Sequence, residues 1–151
     1  MNFDYPTELR FQCTKCGICC GDTQEKTRHI LLLTAEAEQI ATATSQPIAK
    51  FAVKIEGKAP YSHEMKKTIE NGKCVFLENN SCTIYPLRPL ICRFYPFELK
   101  VTANGKHQFL YTDECLGIGK GKTLSKNYFE TLFQLARTKT EAQRRSNEKK
   151  P

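Results

Sequence analysis

Apolar and polar positions alternate along this chain in short blocks, and most blocks are long enough for one small element each. The run HILLLT, 29–34, is apolar and predicts a short buried strand. Thr34 suits a helix N-cap, with Glu36 and Glu38 in a first turn where the helix dipole favours acids. The stretch AEAEQIATATS then predicts a helix that ends near Pro47. IAKFAVKIEG, 48–57, alternates as a strand does, and GKAPY, 57–61, reads as a turn. Two β-prone segments, KCVFLE and CTIY, flank the polar NNS and predict a hairpin with Cys74 and Cys82 near its ends. Pro86 stops the second strand, and LRPLICRF predicts a short helix with Pro89 in its first turn. FELKVTANGKHQFLYT predicts another hairpin around Asn104-Gly105, and Cys115 follows it. GIGKGK, 117–122, reads as a flexible connector, because the Walker spacing of a phosphate loop is absent. Beyond it, Leu124, Tyr128, Leu132 and Leu135, with Phe129, Phe133 and Ala136 beside them, form the apolar stripe of an amphipathic helix. Residues 1–28 read as loop. The pattern predicts a small single-domain α+β fold: short antiparallel hairpins and two or three helices over 1–136, then a basic, solvated tail over 137–151.

Composition changes this picture mainly through sulfur. The chain has 151 residues and eight cysteines. It holds no apolar run of about 18 residues, and its N-terminus, MNFDYPTELRFQ, lacks the pattern of a secretory signal. The expected compartment is therefore the cytoplasm, where thiols stay reduced. That favours metal over disulfides for Cys13, Cys16, Cys19, Cys20, Cys74, Cys82, Cys92 and Cys115. Zinc sites usually pair two C-x-x-C units, whereas CTKCGICC is the single such region here. Three cysteines as C-x-x-C-x-x-C plus a remote one is the spacing of ferredoxin-like iron–sulfur loops, although the closely following fourth cysteine and proline are missing.

The doublet Cys19-Cys20 poses its own question. Adjacent side chains project in different directions, so the two rarely serve one ion. The spacing puts Cys19 with Cys13 and Cys16. Cys20 is left for a second site, for another iron of the same cluster, or for packing as a buried thiol. The closing ligand comes from Cys74, Cys82, Cys92 or Cys115, and Cys92 is favoured because Arg-Pro and Tyr-Pro-Phe elements bracket it. Arg88 and Arg93 have N–H groups suited to thiolate or sulfide, and Tyr95 suits the dry shell around a centre. His29, His63 and His107 are isolated from one another and read as non-ligands. No G-x-S-x-G, H-E-x-x-H or G-x-G-x-x-G is present, so no independent catalytic motif is legible.

Charge adds little. The formal net charge is +7, of which six basic and two acidic residues in the tail supply +4. Each four-thiolate site carries −2, so one site leaves about +5 and two leave about +3. A nucleic-acid partner is not signalled.

The two segments FQCTKCGICCG and CVFLENNSCTIYPLRPLICRFYPF together resemble the CxxCxxCC cysteine-cluster family of zinc- or iron-chelating domains. The likeness rests on Cys13, Cys16, Cys19 and Cys20 in the first segment. In the second it rests on Cys74, Phe76, Leu77, Cys82, Ile84, Tyr85, Arg88, Pro89, Cys92, Arg93, Tyr95, Pro96 and Phe97. Cys115 stands where the family's eighth cysteine falls, and the likeness spans residues 11 to 116. The resemblance implies metal binding, with a 4Fe–4S cluster favoured and 2Fe–2S or zinc as alternatives. It also implies a role beside other proteins: some members are fused to methyl-transferring enzymes, and small members accompany archaeal electron-transfer dehydrogenases. The expectation is an iron–sulfur protein that passes single electrons to a redox partner within or alongside a larger oxidoreductase complex. A zinc-stabilised interaction module and a cluster-dependent methyl-transfer accessory protein are the alternatives.

Overall fold

The computed structural model describes residues 2–23 and 26–148. Among these residues the fold is the expected α+β mixture of several short sheets and three helices. Helix α1 spans Thr34–Thr44, α2 spans Leu90–Phe94 and α3 spans Lys126–Glu148. In one sheet β1 (Phe3–Asp4) runs parallel to β9 (His107–Tyr111), and β9 runs antiparallel to β8 (Phe97–Val101). In a second, β3 (Leu31–Leu32) and β4 (Ala52–Lys54) both pair with β5 (His63–Met65). Two strand pairs complete the set: β2 (Arg10–Phe11) with β10 (Ile118–Thr123), and β6 (Leu77–Glu78) with β7 (Ser81–Cys82).

The hairpins form where turn chemistry predicts them. Asn79 and Asn80 both take positive φ, 49° and 61°, between the paired Glu78 and Ser81. That is the left-handed pair a two-residue hairpin loop needs, and asparagine tolerates it. Elsewhere the structure departs from the local pattern. Ile48–Lys50 is a 3-10 turn, so the strand expected over 48–57 shrinks to β4. The supposed glycine-lysine connector is strand β10, paired with β2 through an irregular register. Thr34 begins α1 but does not cap it. The Glu36 carboxylate accepts the Leu33 N–H at 3.0 Å, while the Thr34 hydroxyl donates to Ser62.

Two hydrophobic clusters fill the interior. One gathers Ile30, Leu32, Ile40, Phe51, Met65 and Phe76 between α1 and the β3–β5–β4 sheet. The other is aromatic, with Phe3, Phe94, Phe97, Phe109, Phe129 and Phe133 between α3 and the β1–β9–β8 sheet. Helix α2 serves both, since Leu90 and Phe94 enter the aromatic cluster while Ile91 and Cys92 face the other. Burial of such faces is the main favourable term in the fold.

Buried Glu36 joins the helices. It is 4 % exposed, and besides Leu33 it accepts the Leu90 N–H at 2.6 Å and the Lys139 ammonium at 2.9 Å. Residues 137–148, over which composition suggests a solvated tail, continue α3. Gln143 of this stretch is buried and accepts the Thr34 N–H. Residues 149–151 of the expected tail lie outside the described part. Among the described residues no helix is long and apolar enough to cross a membrane.

Candidate metal centre

The N-terminal loop is shaped by backbone geometry before any metal is considered. Gly17, at φ 79°, opens the 3-10 turn Ile18–Cys20, and the Cys20 N–H closes back on the Gly17 carbonyl at 3.1 Å. The chain then meets the segment that carries Cys74. The Cys74 N–H donates to the Cys20 carbonyl at 2.5 Å, and Gly21 bridges to Lys73. The approach is so close that a Cβ on Gly21 would stand 2.3 Å from the Gly72 carbonyl oxygen. Cys82 lies in β7 opposite Leu77, whose N–H donates to the Cys74 carbonyl at 3.0 Å. Cys92 comes from α2. Cys20, Cys74, Cys82 and Cys92 thus all pack in the first hydrophobic cluster.

A second meeting point lies at the other end of the loop. Phe11 pairs with Ile118, and the Gln12 N–H donates to the Gly117 carbonyl at 3.1 Å. This carries Cys13 past the turn that holds Cys115. Gly117 is the residue that permits the approach, since a Cβ there would stand 2.2 Å from the Gln12 carbonyl oxygen. Burial pushes the Cys115 thiol up, and the charges of Cys16 and Cys13 add to the rise. The β2–β10 pairing thus brings Cys115 to the Cys13 end, while Cys92, the closing ligand that the sequence favours, packs in the same cluster as Cys20 and also feels the charge of Cys19.

The doublet spans the two groups. The Cys19 and Cys20 Sγ atoms are 3.9 Å apart. Their contact, with burial, pushes the Cys19 thiol up, and the two sulfurs are close enough to titrate as a pair. Burial pushes Cys74 up to about 11 and raises Cys82 and Cys92 as well.

Several thiols nonetheless receive backbone donors. Lys15 N–H points at the Cys13 Sγ and Phe76 N–H at the Cys74 Sγ, each at 3.4 Å. The N–H groups of Ile84 and Gly117 likewise favour the thiolates of Cys82 and Cys115, against burial as the larger effect. In all four cases the donor is two residues after the cysteine. A donor held on sulfur in this way stabilises a thiolate ligand, so the chemistry of the donor set fits a thiophilic metal or cluster. All eight cysteines carry free thiols. Among the described residues, however, no three histidine, cysteine, aspartate or glutamate side chains meet in a ready-made coordination shell. The fold supplies proximity, and ligation would draw the sulfurs together.

The side chains expected around the site divide in their roles. Arg93 donates Nε to the Arg88 carbonyl at 2.9 Å and Nη2 to the Pro86 carbonyl at 2.8 Å, so it braces the loop before α2. Arg88 stacks on the Tyr85 ring at 3.8 Å, and its charge bears on Cys82. Tyr95 sits with its hydroxyl buried. Sequence reasoning missed Arg28, which lies 4.6 Å over the Tyr95 ring and whose Nε is also buried. No motif marks Arg28; its place is visible only in the tertiary structure. The histidines lie elsewhere: His29 on Glu64, His63 on Ser62 and His107 against Phe133.

Fold and site together define a small cysteine-rich chelating domain. Residues 12–116 match the family model CxxCxxCC, described as a "putative zinc- or iron-chelating domain", and the chain belongs to that family. Two proteins of Methanocaldococcus jannaschii are similar to it. "Uncharacterized protein MJ0661" is 29% identical over 126 residues, covering 74% of this chain and 58% of that protein. "Uncharacterized protein MJ0939" is 24% identical over 131 residues, covering 82% of this chain and 42% of that protein. The chain therefore spans about half the length of these relatives. No solved structure matches it.

Proposed function

We propose that this chain is a cytoplasmic iron–sulfur protein that carries single electrons to and from a protein partner in a larger oxidoreductase assembly. The observation that carries this reading is the all-sulfur donor set, partly buried and supplied with backbone N–H donors. When bound, a 4Fe–4S cluster supplies a one-electron couple. The chain's residues supply the surroundings. Cys20, Cys74, Cys82 and Cys92 would form one four-thiolate set, and Cys13, Cys16, Cys19 and Cys115 the other. The N–H groups of Lys15, Phe76, Ile84 and Gly117 lower the charge density on sulfur. The first hydrophobic cluster buries Cys74 and packs against half-buried Cys92. The exposed Cys13 thiol, with half-buried Cys16 beside it in sequence, offers the approach for a partner.

The test is electron paramagnetic resonance of protein purified without oxygen and reduced with dithionite. A spin-one-half signal that disappears on reoxidation supports the reading. A colourless protein that holds zinc and gives no signal overturns it in favour of a structural chelating module.

A further inference from the structure

Two buried polar groups beside the cysteines have no hydrogen-bond partner among the described residues: Arg28 Nε and the Tyr95 hydroxyl. Buried donors are seldom left unpaired, so each such group calls for an acceptor. The two form one unit, with the guanidinium carbon 4.6 Å from the Tyr95 ring centroid. Backbone contacts place the unit. The Arg28 N–H donates to Asp22 Oδ1 at 2.9 Å, and its carbonyl accepts Lys67 Nζ at 2.9 Å. Lys67 also pairs with Asp22 at 2.7 Å, and the Asp22 N–H donates to the Gly72 carbonyl. Arg28 is thereby tied to the junction where Cys20 meets Cys74. Tyr95 arrives from the other side, closing α2 one turn after Cys92, with its N–H on the Ile91 carbonyl. Cys92 and Tyr95 are both pushed up chiefly by burial, and the Arg28 charge opposes the rise at each.

We propose that Arg28 Nε–H and Tyr95 O–H are hydrogen-bond donors to sulfur of the bound metal centre, acting as positioning residues that set its charge and potential without ligating it. This rests on the metal–thiolate reading above. Donors on sulfur favour the more negative, reduced state, so removing one makes the centre harder to reduce.

The variants are Tyr95→Phe and Arg28→Lys, with Tyr111→Phe, on the exposed side of β9, as a control. In iron-loaded protein both test variants should keep their metal. Each should shift the oxidised-to-reduced ratio at a fixed potential about threefold to tenfold toward oxidised, tenfold being 59 mV for a one-electron couple. Cobalt(II)-substituted protein gives a second readout that needs no iron. There the thiolate-to-cobalt absorption band should move to lower energy in the same two variants and stay in place in Tyr111→Phe. If the purified protein contains zinc alone, the electron-transfer reading fails while the cobalt band still reads the donors. A potential and a band both unmoved by Tyr95→Phe and Arg28→Lys would overturn the proposal. Loss of metal from Tyr95→Phe would overturn it too, because a group that only tunes a centre is not required to hold it.

Discussion

Replacing Glu36 with alanine should destabilise the protein by about 4 kcal/mol and loosen the metal site from a distance. The carboxylate is 4 % exposed and holds the Leu33 N–H, the Leu90 N–H and the Lys139 ammonium. A hydrogen bond to a charged group contributes about 1.5–3 kcal/mol, and breaking a buried ion pair costs about 3–5 kcal/mol when the other charge stays buried. The Lys139 side chain is 26% exposed and can swing to water, which lowers its share. The Leu90 N–H cannot swing away, because it begins α2. For a domain of this size each kcal/mol moves Tm by about 2–4 °C, so the fall should be about 8–16 °C. Glu36→Gln keeps the shape and one acceptor oxygen, and should lose about half as much. Thermal unfolding of metal-loaded protein followed by circular dichroism measures both. Because α2 carries Cys92, the alanine variant should also yield its metal faster to a chelator. A Tm within about 3 °C of wild type would refute the reasoning, since three donors cannot lose a buried acceptor at so small a cost.

Other expectations follow from the same geometry. Gly21→Ala and Gly117→Ala each force a Cβ onto backbone, at 2.3 Å and 2.2 Å, so each should lower metal content while preserving most helical signal. Unchanged metal analysis in either would show that the junction is slack. Cys92→Ser should behave like Cys20→Ser, and Cys115→Ser like Cys13→Ser, in metal content and spectrum; Cys92→Ser matching Cys13→Ser instead would restore the grouping suggested by spacing alone. Burial, helped by Lys54, holds the His63 ring below its usual value. As pH falls the unfolded chain therefore takes that proton first. The stability contributed is complete above about pH 6.5 and is lost as pH drops through the folded value. His63→Gln should show a shallower decline of the urea midpoint below about pH 6.5, and an identical decline would remove His63 from the account.

What the chain discloses locally and what it withholds have a physical boundary. The hairpin at Asn79-Asn80, the hairpin that ends before Cys115, and helices α1 and α3 rest on neighbours in sequence, so period and turn chemistry reveal them. The β2–β10 pair rests on contacts between residues 10–11 and 118–123, and no local signal announces it. That pairing is also what brings Cys115 toward Cys13, a neighbour that spacing does not single out. The helical course of residues 137–148 was hidden for a similar reason. Its polar composition suits solvent, yet Lys139 and Gln143 find partners on α1. The eight cysteines were legible as candidates because their clustering is itself a sequence property, whereas Arg28 became visible only once Tyr95 lay beneath it.

The central claim, that these cysteines hold an iron–sulfur centre, is tested most directly by metal and acid-labile sulfide analysis of the full chain purified without oxygen. The account predicts iron and sulfide in equal amounts with little zinc. Zinc bound in stoichiometric amount, with no sulfide released on acidification, would contradict it.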